Sequence, residues 1–173
     1  MPPRDFSQLT DEQAREHFEQ WVATAPERLE ALRGAVAGDT RLDYSPESLV
    51  AVWEWFLGRE RSRGNGDGEL PPWYEPDPPE LAAQRLPAAT LRDVDLVAAY
   101  LAEVFRRNLG LEWAIGNMPA RMAYAHQNAP VLKNETIEVE PVSVTYGRAV
   151  QVGLLGGEPQ PDALLETYRA WVT

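Results

Sequence analysis

Apolar residues recur every three to four positions along most of this chain, and end signals place the helices they predict. Ala14, Phe18, Trp21, Val22 and Ala25 form one stripe. Ahead of it, Thr10 has capping-box spacing to Gln13, with Asp11 and Glu12 in the first turn where the helix dipole favours acid. Pro26 interrupts this helix or opens the next. Thr24 and Glu27 repeat the capping-box spacing, which favours a second helix with Leu29, Leu32 and Val36 inward and Gly38 as its stop. A third helix has Ser45 as N-cap and Pro46 at its first position, carries Leu49, Val52, Trp53 and Phe56 at helical spacing, and closes at Gly58. The fourth, from about Thr90 to Leu109, has the longest regular pattern and is expected to be central. Thr90 caps it, Asp93 sits at N3, Val94, Val97, Ala98, Leu101, Val104 and Phe105 make the apolar face, and Gly110 ends it.

Beyond Gly110 the period falls to two. Leu111, Trp113 and Ile115 alternate as in a half-buried strand, and Gly116-Asn117 reads as a turn. Residues 121–124, Val131-Leu132 and residues 136–139 are further short strands, giving a small antiparallel sheet. Residues 141–155 admit two readings: Val142, Val144 and Tyr146 alternate like a strand, while Pro141 can open a helix through Val150 and Leu154, and the helix is preferred. Pro161 and Asp162 begin a final helix with Leu164, Leu165, Tyr168 and Val172 inward. The expected class is α+β: five or six helices packed on a small antiparallel sheet.

Residues 59–89 break the pattern. Arginines lead into Gly64-Asn65-Gly66-Asp67-Gly68 and then a proline-rich acidic run around Trp73 and Tyr74. Glycine favours flexibility and proline extended backbone, so this is a long loop. It does not divide the chain, because the helices before it are too few for a stable domain. One domain over residues 1–173 is the expectation.

Composition narrows the function classes. The 173 residues are 44% hydrophobic and 25% charged, as in a globular protein. Cysteine is absent, which excludes disulfides, thiolate catalysis and cysteine-ligated zinc or iron–sulfur sites and fits a reducing compartment. No apolar stretch approaches a membrane span or a secretory leader, so a soluble, cytoplasmic protein is expected. The net charge of −11 disfavours nucleic acid and anionic membranes and would suit a basic protein partner. Lys133 is the only lysine, and the richness in Arg, Ala, Gly and Pro points to a GC-rich bacterial genome.

No catalytic or cofactor signature emerges. His17 and His126 stand alone without ligand spacing, so no metal is expected; His17 reads as a solvated helix residue and His126 as a pocket candidate. Aligning Gly68 with the glycine of a calcium loop puts Arg63 and Tyr74 where carboxylates are required, so that match fails. Gly153-Leu154-Leu155-Gly156-Gly157 lacks the strand–glycine–helix order of a dinucleotide site and reads as a turn, so no cofactor is expected. Two carboxylate pairs remain. Asp93 and Asp95 start the fourth helix, and Glu138 and Glu140 alternate along a strand as on a solvent face.

Among the six tryptophans, Trp21, Trp53 and Trp113 fall on apolar stripes and read as core, whereas Trp55 lies off its helix's apolar face. Trp73 and Tyr74, flanked by prolines, offer rigid area for a contact surface, unless the loop folds back and Trp73 plugs the edge of the core. Glu103 and Arg107 have the i,i+4 spacing of a helix-face ion pair.

The stretch from Tyr100 to Trp113, in which Glu103-x-x-x-Arg107 precedes a terminal glycine and a strand bearing tryptophan, resembles a segment of uncharacterised, actinobacterial-looking domains of unknown function. Ala129-Pro130-Val131-Leu132 and the segment opened by Pro141 extend the likeness over roughly residues 97–150. The resemblance implies helices against a small sheet and carries no activity or ligand. The expectation is therefore a non-enzymatic binding or regulatory protein engaging a partner through an acidic, aromatic surface. The alternative is a small enzyme or ligand binder with a carboxylate–arginine pocket between helices and sheet. Glu103, Arg107, Trp113, Arg121, His126 and Arg148 are its candidate residues, and the oligomeric state stays open.

Overall fold

The computed structural model describes residues 5–36, 41–61, 68–75, 85–118 and 124–172. After a short 3-10 turn at Phe6–Gln8 come α1 (Asp11–Ala23), α2 (Ala25–Ala35), α3 (Ser48–Arg61) and α4 (Ala88–Leu109). Three strands follow, β1 (Glu112–Ile115), β2 (Pro130–Lys133) and β3 (Glu138–Val139), then α5 (Pro141–Gly153) and α6 (Ala163–Val172). The strands form one antiparallel sheet in the order β1-β2-β3, with Trp113 opposite Leu132 and Leu132 opposite Val139. This is the α+β arrangement expected from the pattern. Gly38, residues 121–123, and the Gly64–Asp67 and Pro76–Pro79 parts of the long loop fall outside the described residues.

Several end signals act as written. Thr10 Oγ1 accepts the Gln13 amide while the Gln13 side chain accepts the Thr10 amide, closing the capping box of α1. Gly110 ends α4 with φ of 64°, a conformation that glycine adopts without strain. Pro141 opens α5, and Glu140 ahead of it accepts the amides of Val142 (3.1 Å) and Ser143 (2.7 Å). The helical reading of this segment therefore holds.

Other signals yield to packing. Thr24 does not cap α2: it is helical, and its hydroxyl donates back to the Gln20 carbonyl at 2.8 Å. Thr90 does not start α4, which begins at Ala88 after Pro87. Fully buried, it donates instead to Glu60 at 2.7 Å. Asp93 is not a capping residue; it accepts Arg59 Nε at 2.6 Å. Gly116-Asn117 is not a tight hairpin turn, because Gly116 still pairs with Ala129 and Asn128 beyond the end of β1. Val172 is 53% exposed rather than inward, since the last turn of α6 runs past the core. Glu140 lies 4% exposed, buried by its capping role and not on the solvent face that alternation implied.

Gly58 does not stop α3, whose helix continues to Arg61. A glycine in an exposed helical position costs conformational entropy, and a Cβ added there meets nothing within 4 Å. Gly58→Ala is expected to stabilise the fold by about 0.5–1 kcal/mol, read as a rise in the thermal unfolding midpoint. A neutral or lowered midpoint would contradict this account.

α4 is the central element, packed by α2, α3, α5 and β2. Its Leu91, Val94, Val97, Ala98, Leu101, Val104 and Phe105 are fully buried. Most of the buried apolar side chains, from Phe6 to Tyr168, form one cluster. No helix of the described residues is long and apolar enough to cross a membrane.

Candidate functional site

The expected Glu103–Arg107 pair is present, and it lies in a groove. Glu103 on α4 accepts Arg107 Nε at 3.1 Å and Arg106 Nη1 at 2.5 Å. Both arginines occupy the last turn of α4, where the negative end of the helix dipole favours cations. Across from them, Arg33 on α2 reaches the Tyr44 hydroxyl and lies 3.3 Å from Glu30. With Trp113 of β1 and the apolar Val22, Pro26 and Leu29, these side chains line a groove of about 480 Å³. Three guanidiniums thus face two carboxylates, a locally positive site on a chain of net charge −11.

Tyr44 is the residue that sequence reading missed. Its φ is 62°, a left-handed conformation that a bulky L-residue adopts only under constraint, at a cost of about 1–3 kcal/mol. The constraint is visible. Tyr100 Oη accepts the Tyr44 amide at 3.0 Å, and Asn108 Nδ2 donates to the Tyr44 carbonyl at 2.8 Å. The ring stacks on Tyr100 with centroids 4.9 Å apart, while Ser48 Oγ anchors the Tyr100 hydroxyl at 2.7 Å. Asp43, accepting the Ser45 amide and hydroxyl, turns the chain just beside it. So held, the Tyr44 ring lies beneath the Arg107 guanidinium, 3.8 Å from its centroid, a cation–π contact. Arg107 spends only Nε on Glu103; its terminal nitrogens have no hydrogen-bond partner among the described residues.

Trp113 is not core. Half-buried, it meets Trp21 edge-on at 6.5 Å and walls the groove, and its indole N–H bonds to none of the described residues. The remaining candidates lie elsewhere. Arg148 on α5 donates from Nε to Thr167 at 3.0 Å and borders a small cleft of about 100 Å³. His126 packs edge-on against Tyr124 at 5.7 Å, and burial holds its pKa below the usual value. His17 is half-buried against Phe6 at 4.9 Å, not solvated, because α1 turns it toward the preceding 3-10 turn.

Trp73 and Tyr74 do not present a contact surface. They are 1% and 4% exposed and pack with Tyr146 in a three-ring cluster. The loop folds back because the indole N–H finds a buried acceptor, Asp95 Oδ1, at 3.0 Å. Asp95 also takes Arg28 Nη1 at 3.2 Å, and Arg28 lies flat on Trp21, 3.4 Å from the ring centroid. Burial pushes the Asp95 carboxyl above its ordinary range against the pull of Arg28 and Trp73, and burial likewise lowers the Arg28 pKa against the pull of Asp95. Of the Asp93–Asp95 pair, Asp95 is thus the carboxylate in an unusual setting. Trp55, off its apolar stripe, donates to the Ala35 carbonyl at 3.2 Å and ties α3 to α2.

No protein-family model matches this chain, and neither does any curated protein or any solved structure. The reading of the groove therefore rests on its own chemistry.

Proposed function

We propose that this protein binds a small organic anion, one with a planar apolar body and a carboxylate or phosphate end, in the groove between α2, α4 and β1. The observation that carries the reading is the convergence of Arg33, Arg106 and Arg107 with the rings of Tyr44 and Trp113 on one groove of an acidic protein. Guanidinium is suited to such anions because it stays charged and donates in a planar fork. The aromatic and aliphatic walls supply the apolar area that small-ligand sites use, and the volume lies within their usual range. Tyr44 and Glu103 hold the arginines in place before a ligand arrives, which lowers the ordering cost of binding.

The test is a calorimetric or NMR titration with benzoate and phenyl phosphate. Saturable binding is expected, weakened about tenfold or more by Arg107→Ala, the loss of one charge-assisted contact worth about 1.5–3 kcal/mol. Binding that is unaffected by Arg107→Ala, or no binding of either anion at millimolar concentration, would sink the reading.

A further inference from the structure

The anion groove already contains a carboxylate of its own, and that residue bears on which anion the site accepts. Glu103 spends both oxygens on the arginines beside it: Oε1 accepts Arg106 Nη1 at 2.5 Å and Oε2 accepts Arg107 Nε at 3.1 Å. Its side chain is only 13% exposed, against 77% for Glu30 at the rim. Solvent therefore screens Glu30 well and Glu103 poorly. Nor can Glu103 swing aside without unpairing two guanidiniums.

Arg33, Arg106 and Arg107 set against Glu30 and Glu103 leave the groove an excess of one positive charge, three less two. Around it the whole chain carries −11. A ligand's attraction to such a site grows in proportion to its charge, whereas the cost of withdrawing it from water grows with the square of that charge. Where fixed carboxylates have cut down the positive field, a second negative charge on the ligand adds more penalty than attraction. The remaining donors favour the same class of ligand. Arg107 has Nε committed to Glu103 and offers its two terminal nitrogens, a single end-on fork that matches the two oxygens of one carboxylate.

We infer, on the reading of this groove as an anion site, that it selects singly charged anions, an aromatic carboxylate over a phosphate monoester. Glu103 is the residue that sets the preference.

The probes are phenyl sulfate and phenyl phosphate, titrated calorimetrically into the full chain beside benzoate at about pH 8, above the second ionisation of a phosphate ester. The two esters share a tetrahedral shape, but the sulfate carries one charge and the phosphate about two. Phenyl sulfate and benzoate are each expected to bind about tenfold or more tightly than phenyl phosphate. Glu103→Gln keeps an acceptor of the same size and removes the charge. It should close the gap between the esters to about threefold or less, chiefly by tightening phenyl phosphate. A merely structural Glu103 would affect both esters alike and leave their ratio unmoved. Glu30→Gln, an exposed change on α2, should narrow the gap by a smaller factor and decides the matter if Glu103→Gln does not fold. Binding of none of the three at millimolar concentration removes the anion site itself, and the preference with it. Phenyl phosphate bound as tightly as phenyl sulfate, or a gap unchanged in the variants that fold, leaves the anion site standing and overturns the preference assigned to Glu103.

Discussion

Trp73→Ala is expected to destabilise the fold by about 3–5 kcal/mol, the range for truncating a large buried aromatic. The side chain is 1% exposed, touches the rings of Tyr74 and Tyr146, and gives its N–H to Asp95, so truncation opens a void and removes a donor from a carboxylate of limited exposure. Trp73→Phe isolates the second effect. It keeps most of the ring volume and should cost about 1–3 kcal/mol for the acceptor left wanting. As a control, Trp171→Ala, at a residue 38% exposed on the last turn of α6, should stay within about 0.5 kcal/mol. Urea denaturation curves for the three variants check this. A Trp73 that served a partner rather than the core would leave the midpoint of Trp73→Ala unmoved.

Arg28→Met should cost about 3 kcal/mol at pH 7, because it leaves Asp95 in a buried setting without its countercharge. Methionine preserves much of the packing over Trp21, so charge is the main loss. The pH dependence identifies the cause. Burial already raises the Asp95 pKa above 3.8, and Arg28 is what opposes that rise. A carboxyl whose pKa is higher in the folded state than in the unfolded one holds its proton more tightly when folded. Its favourable contribution is complete below the unfolded pKa and is lost as pH climbs through the folded value. Removing Arg28 raises the folded value further. The deficit of Arg28→Met should therefore shrink as pH falls from 7 toward the carboxylate range. Glu138 and Glu140, also raised by burial, respond with the same sign in both proteins and cancel in the difference. Parallel denaturation series at several pH values provide the measurement, and a deficit independent of pH would refute the assignment to Asp95.

The elements that could be read from the sequence are those whose signals are local. The Thr10–Gln13 box, Gly110, the stripe of α4 and the alternation through Trp113 each operate within a few residues, and each appears in the structure. Misreadings arose where a residue of local meaning was claimed by a distant partner. Thr90 has cap-like chemistry, but Glu60, thirty positions earlier, takes its hydroxyl. Glu140 alternates like a surface residue, but a helix begins immediately after it and needs its carboxylate. The candidate site divides in the same way. Glu103 and Arg107 share one helix face and could be paired by spacing, whereas Arg33 and Tyr44 join them only through packing. Asp95 could be read only as half of the Asp93–Asp95 pair; its setting depends on Arg28 and Trp73, which are 67 and 22 positions away.

The strained backbone of Tyr44 bears on how the groove moves. Its amide and carbonyl are fastened to Tyr100 and Asn108 on the central helix, and Tyr100 is fastened in turn to Ser48 at the start of α3. The floor of the groove cannot open without loosening the packing of α3 on α4. The Tyr44 amide is therefore expected to exchange with solvent as slowly as core amides, although it lies in an irregular connection where fast exchange is the norm. The aromatic floor under the arginines is thus held by the same contacts that pack the interior, while the guanidiniums above it are half-exposed.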